Sequence, residues 1–280
     1  MNSLCAGFGS SIGSYTFDLI RQIGFGGVRQ DVPTFGDAAV LIPEFGKSKL
    51  TPTFLVGGGP AGERQQDPEE IIDVCREVAR CMQTGLVFGS IEMGNELDTS
   101  QTYKDDPDKA GRLWQDAAAA ILQENPNGVG IITGGISNTS KDAISWLSRA
   151  IKAAPALPSD AAVGFHSYRA NPQEAKSGYS DRHFELRDLR AAAGGSRTLV
   201  CTEVGYHTAS GRGCFGRKTK GLTDQQVYEY ALAEIAFLNG EYGISLAWYQ
   251  LNDGPNDVAA DRYGVRYSDG TLKPVCDAFK

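Results

Sequence analysis

Glu96 and Glu203 are the residues of this sequence on which chemistry can be built. Each follows a short apolar run of strand character. Leu86-Val87-Phe88-Gly89-Ser90-Ile91-Glu92-Met93 leads into Gly94-Asn95-Glu96, and Arg197-Thr198-Leu199-Val200-Cys201 leads into Thr202-Glu203-Val204-Gly205. Two carboxyl groups held at the mouths of parallel strands can divide labour at an acetal carbon. One, protonated, hands its proton to the departing oxygen, and the other, ionised, attacks the carbon or stabilises the sugar cation.

The rest of the chain supplies elements to position them. Strands are predicted over Ser3–Phe8, Gly27–Asp31, Thr51–Val56, Val87–Met93, Val129–Gly134, Ala161–Ser167, Thr198–Thr202 and Ile244–Leu251. Most are apolar and nearly continuous, the pattern of strands buried on both faces. Asp67-Pro68-Glu69-Glu70 opens a helix with a capping aspartate, a proline at the first position and acids in the first turn, and Ile71, Val74, Val78 and Met82 form its apolar stripe. Asp106-Pro107 opens another, lined inside by Trp114, Ala118, Ile121 and Leu122. Further helices are predicted over Tyr15–Ile23, Lys141–Ala154, Asp181–Ala193 and Thr223–Asn239. Eight strand–helix units in 280 residues fit an α/β fold of the (β/α)8 TIM-barrel type, a single catalytic domain over residues 1–280. A doubly wound open sheet has the same alternation. The barrel is favoured because only there do the ends of strands far apart in sequence converge on one pit. Both chain ends read as trimmed to the barrel: the first strand begins beside Met1, and only Val275–Lys280 follow Lys273-Pro274.

Composition narrows the function classes. A net charge of −7 and a pI near 5.1 argue against a nucleic-acid partner. No apolar run approaches the roughly 18 residues of a membrane span. Met1-Asn2-Ser3 lacks the basic and apolar segments of a secretory leader, and the trimmed start favours a secreted domain with its leader removed over a cytoplasmic one. A monomer is expected. The six cysteines, Cys5, Cys75, Cys81, Cys201, Cys214 and Cys276, lack metal-type spacing and read as buried thiols; Cys5 with Cys276 is the one pair that adjoining chain ends would bring together. His166, His183 and His207 are too spread for a zinc motif, so no metal is expected. Gly57-Gly58-Gly59-Pro60-Ala61-Gly62 formally fits a dinucleotide signature. Pro60 interrupts it, however, and the next helix begins only near Asp67, so no cofactor is expected either.

Taken in order along the strands, these residues resemble the retaining β-glycosidases of the (β/α)8 barrel group called clan A. In that clan an asparagine–glutamate pair ends the fourth strand and carries the acid/base. A glutamate ending the seventh strand is the nucleophile. Asn95-Glu96 and Glu203 match these places. Gly27-Val28-Arg29 matches an arginine at the second strand, His166-Ser167-Tyr168 is similar to the clan's His-x-Tyr at the sixth, and Trp248 stands in the eighth, where members place a tryptophan under the sugar. Tyr263-Gly264-Val265 and Asp269-Gly270-Thr271-Leu272-Lys273-Pro274 resemble the closing segment of many members. Leu97 stands where members often carry proline.

The resemblance implies a carbohydrate substrate, with Glu96 and Glu203 catalytic and Arg29, Asn95, His166, Tyr168, Trp248 and Tyr206 binding it. Arg29 would hold Glu203 ionised, Tyr168 would donate to it, His166 would orient the network, and Asn95 would donate to the sugar 2-hydroxyl. The structural alternatives are that Arg29 neutralises Glu92, that His166 is a satisfied core histidine, and that Tyr168 and Trp248 fill the barrel. Short loops suggest an open cleft and endo action on a polysaccharide. Exo action on small β-glycosides is the alternative within the clan, and a non-catalytic carbohydrate-binding barrel or a dinucleotide oxidoreductase the alternatives outside it. The stretch Val204–Leu222 carries Arg212, Arg217, Lys218 and Lys220 without an acid. That surplus would either draw an acidic glycan or be neutralised by Asp253, Asp257 and Asp261 of the neighbouring loop.

Overall fold

The computed structural model describes residues 3–6, 14–58, 67–126, 128–209, 221–253 and 263–280, with 3–6 and 14–16 described by backbone alone. The strands are β1 (Ser3–Ala6), β2 (Gly27–Asp31), β3 (Thr51–Val56), β4 (Gly89–Asn95), β5 (Val129–Gly135), β6 (Val163–His166), β7 (Leu199–Val204) and β8 (Ser245–Tyr249). They pair in parallel in the order β5-β4-β3-β2-β1-β8-β7-β6, and bridges Ile132–Ala162 and Ile136–Phe165 join β5 to β6 and close the ring. The fold is a (β/α)8 barrel. Its strands are continuous apolar runs because one face fills the barrel while the other packs under helices.

The helices are α1 (Ser14–Ile23), α2 (Phe35–Ser48), α3 (Pro68–Thr84), α4 (Pro107–Glu124), α5 (Lys141–Lys152), α6 (Arg182–Ala192) and α7 (Asp224–Ile235), which continues as a wider-wound stretch, Ala236–Glu241. A 3-10 turn, Pro274–Phe279, stands where an eighth helix would be, as the short tail requires. Local chemistry sets the helix starts. Asp67 accepts from the Glu69 N–H and Asp106 from the Lys109 N–H, while Thr223 and Gln226 form a capping box. Each cap contributes about 1 kcal/mol.

Helix α2 has no counterpart among the predicted elements, since Pro43 inside it, with Gly36 and Gly46, argues against a helix. An interior proline costs about 3 kcal/mol. Burial offsets that cost: Ala38, Ile42 and Phe45 are sealed in the core, and the Phe45 ring meets Phe17 at 5.0 Å and Phe54 at 5.2 Å. Behind β4, the Trp114 indole N–H donates to the Met93 carbonyl at 2.9 Å and Trp146 to that of Tyr103 at 3.2 Å. The first bond anchors the strand two residues before Asn95, and the second anchors the loop that follows it. Cys75, Cys81, Cys201 and Cys276 are free thiols. Cys276 donates to the Val265 carbonyl at 3.2 Å; the Cys5 side chain, and with it the Cys5–Cys276 pairing, lies outside the described residues.

Helices α4 and α5 pack closely at Gly111. A Cβ there would lie 2.1 Å from the Ala150 carbonyl oxygen and 3.0 Å from the Ala153 Cβ. Gly111→Ala gains about 1 kcal/mol of helix propensity, but a clash with backbone cannot be relieved by a rotamer change and costs about 1–3 kcal/mol. The clash wins. The variant is expected to unfold at lower urea concentration than the parent, and an equal or higher midpoint would contradict this packing.

Candidate active site

The end of β4 is shaped by backbone conformation. Gly94 (φ 92°) and Glu96 (φ 48°) both adopt left-handed geometry, which costs a non-glycine residue about 1–2 kcal/mol. The turn is held by the Glu96 N–H donating to the Gly135 carbonyl at 2.8 Å and by the Thr99 N–H donating to the Glu96 carbonyl at 2.9 Å. A Cβ on Gly134 would come 2.7 Å from the Gly94 carbonyl oxygen, so a glycine is needed opposite the turn. The turn sets Glu96 at the rim, its side chain 30% exposed.

Below it, Arg29 of β2 lies buried among three partners. Its Nε and Nη2 donate to Glu92, the latter at 3.1 Å; Nη1 donates to Glu203 Oε1 at 2.7 Å; Nη2 also donates to Asn95 Oδ1 at 3.0 Å. The two contacts expected of Arg29 as alternatives are both present: one guanidinium pairs with the Glu92 carboxylate and also reaches Glu203. The bond to Oδ1 also fixes the orientation of the Asn95 amide, leaving its NH2 group as a donor.

Glu203 reaches that point through an irregularity in β7. Phe165 pairs with Cys201 and His166 with Glu203, while on the other side Cys201 pairs with Leu246 and Val204 with Trp248. Strand β7 therefore carries one residue more than either neighbour, a bulge that re-aims a side chain. Tyr168 donates to Glu203 Oε2 at 2.8 Å. His166 Nδ1 lies 3.0 Å from Glu96 Oε1 and 3.7 Å from Glu203 Oε2. One oxygen of Glu96 and one of Glu203 lie within 4.8 Å of one another, compatible with the roughly 5–5.5 Å carboxyl spacing of retaining glycosidases.

Charge completes the arrangement. Burial would raise the Glu203 pKa, but His166, Arg29 and the Tyr168 hydroxyl outweigh it and hold the carboxyl below its ordinary value. Burial opposes a charge on His166, yet Glu203 and Glu96 raise its pKa above the usual histidine value despite Arg29. Glu96, His166 and Glu203 stand close enough to ligate a metal ion. Both Glu203 oxygens already accept from protein donors, Oε1 from Arg29 and Oε2 from Tyr168.

Two expected binding residues lie elsewhere. Trp248 is 1% exposed; its indole N–H donates to the Tyr263 carbonyl at 3.2 Å and its ring packs on Phe279 at 5.3 Å. It faces the helix layer. Tyr206 is also buried, donating to Glu234 Oε2 at 3.1 Å, and burial pushes its pKa far up. The aromatic residues at the mouth are instead Tyr249, 6.2 Å from the Tyr168 ring, and Tyr263, 5.4 Å from it. Alternation carries the signal: if Trp248 faces out, Tyr249 faces in. Of the loop charges, Asp253 pairs with Lys273 at 2.8 Å. Arg212, Arg217, Lys218, Lys220, Asp257 and Asp261 lie outside the described residues, as does most of the 57–62 glycine segment.

Behind β6 lies a buried network that the sequence reading missed. Ser167, between His166 and Tyr168, donates to Glu234 Oε1 at 2.8 Å, and its N–H donates to the Glu203 carbonyl at 2.9 Å. Arg182 holds Glu234 through two bonds of 2.8 and 2.7 Å. Arg169 pairs with Glu185 and donates to Ser167 Oγ at 3.2 Å. The residues that alternate with the cleft-facing pair thus fix the strand end from outside.

No protein-family model matches the sequence, and no curated protein matches it. Solved structures do share the fold across the chain. An endoglucanase superposes with a TM-score of 0.68 at 13% identity over 99% of this chain and 96% of its own. The Cel5A of Thermotoga maritima, a mutant form with cellobiose, gives 0.67 at 15% over 100% and 96%. The β-mannanase of Thermomonospora fusca gives 0.62 at 12% over 93% and 81%. At these identities the likeness establishes the barrel.

Tyr168→Phe removes one of the groups that lower the Glu203 pKa. The pH below which kcat/KM for any glycoside turned over declines is expected to move upward, since the Glu203 carboxyl then protonates at higher pH, with a loss of roughly tenfold or more at the optimum. An unmoved acidic limb would show that the hydroxyl does not govern Glu203.

Proposed function

We propose that this chain is a retaining glycoside hydrolase that cleaves β-linked poly- or oligosaccharides, endo-acting, with Glu96 as acid/base and Glu203 as nucleophile. The observation that carries this reading is the pairing of a Glu203 held ionised with a Glu96 carboxyl within 4.8 Å of it, at the mouth of a barrel shared with an endoglucanase and a β-mannanase. Those two names also support the endo mode over exo action.

The groups divide the work as follows. Glu203 attacks the anomeric carbon while Glu96 gives its proton to the departing glycosidic oxygen, so the aglycone leaves as a neutral alcohol and the sugar is esterified to Glu203. Esterification removes the Glu203 charge, and Glu96, now ionised, takes a proton from the water that attacks the same carbon. Two inversions restore the β configuration. The Asn95 NH2 group donates to the 2-hydroxyl, a bond that strengthens as the ring becomes cationic. Tyr249 and Tyr263 offer apolar faces at the mouth in place of Trp248.

New reducing ends released from a panel of β-glucans, xylans, mannans and galactans test the activity, and turnover of none would refute it. On the responsive substrate, Glu203→Ala is expected to lose nearly all activity, with azide restoring part of it as a glycosyl azide of inverted configuration. Glu96→Ala is expected to spare aryl glycosides with good leaving groups, which need little protonation. Equal fractional losses on activated and unactivated substrates would remove Glu96 from the acid role.

A further inference from the structure

Asp31 is an acid at the cleft that the reaction above does not use. It ends β2 two residues beyond Arg29, so strand alternation puts both side chains on the inward face, with Asp31 about 6–7 Å nearer the mouth. Its Oδ1 is sealed without a hydrogen-bond partner among the described residues. A Cβ on Gly58 would sit 2.7 Å from that oxygen and 2.6 Å from the Leu55 side chain, so the carboxyl rests on bare backbone and an aliphatic group. Burial pushes its pKa up to about 7 against the pull of Arg29 and a backbone bond from Val32, with Asp37 and Glu92 adding to the rise. An oxygen buried without a partner costs stability, while the residue as a whole stays partly exposed. The partly exposed remainder of the residue lies on the cleft side, where a sugar seated over Arg29 and Glu203 would present ring hydroxyls.

We propose that Asp31 is a sugar-recognition residue, its carboxyl bonding a ring hydroxyl of the unit held over Arg29 and Glu203. Gly58, lacking a side chain, keeps that carboxyl uncrowded. The proposal rests on the glycosidase reading of the site, and it sets specificity through hydroxyl position, because a carboxyl fixed by a strand end reaches one side of the ring only.

The test uses the Glu203→Gln chain, which holds a sugar without turning it over. Methyl β-glucoside, β-mannoside, β-galactoside and β-xyloside are titrated into it by protein NMR, then into the same chain with Asp31→Ala or Asp31→Asn. At least one glycoside is expected to bind, with the alanine variant weaker by about tenfold or more and the isosteric asparagine variant weaker by less. The deoxy analogue lacking the recognised hydroxyl is expected to bind parent and alanine variant equally. Unchanged affinity in both variants, or binding of none of the glycosides, overturns the role of Asp31. Turnover by the wild-type chain is measured separately. Its absence alongside Asp31-dependent binding would refute hydrolysis and leave the recognition role standing, whereas its presence with Asp31-independent binding would refute only the latter.

Discussion

The guanidinium of Arg29 is the interaction on which the site depends. It joins β2 to β4 and β7 by bonding Glu92, Asn95 and Glu203 with its side chain 3% exposed. Taking these charges out of water is costly, and the pairing is worth having only if geometry and hydrogen bonds are complete. Here they are: Glu92 accepts further from the Gly135 N–H at 3.2 Å, and Glu203 from Tyr168. Loss of the arginine would leave two buried carboxylates facing one another, a defect of about 3–5 kcal/mol. A residue that favours the ionised form of Glu203 is thereby also a fastener of three strands, so the charge of the site and the stability of the barrel share one group.

A second tier of charge holds the other side of the pit. Arg169 with Glu185, and Arg182 with Glu234, lie between β6 and the helices and reach Ser167 from behind. A strand end with His166 and Tyr168 facing the cleft has only its alternate residues available for anchoring. The network therefore acts on Glu203 at one remove, through Tyr168 and through the backbone bond from Ser167. Rigid supports of this kind let a displacement reaction find its two carboxyls at fixed separation.

Much of this was legible in the sequence, and the rest was not for definite reasons. Strands read clearly because burial on both faces writes continuous apolar runs. Asn95-Glu96 and Glu203 read clearly because they stand at the ends of such runs. Helix α2 did not, since Pro43 conflicts locally with a helix that packing sustains. The facing of Trp248 and Tyr206 did not either, because a one-residue shift in register reverses which side chain enters the barrel. The bulge in β7 introduces such a shift with no sequence signature. Glu234 reaches Ser167 across 67 residues of chain, a contact that only the closed barrel creates.

The central claim, that Glu203 is the group that bonds to the sugar, is tested most directly by trapping. A 2,4-dinitrophenyl 2-deoxy-2-fluoro-β-glycoside of the responsive sugar forms its ester quickly and loses it slowly, so the labelled residue can be mapped by mass spectrometry of peptides. The account predicts one fluoroglycosyl group per chain, carried on Glu203. A label on Glu96 or Glu92, or an active enzyme that takes no label, would contradict it.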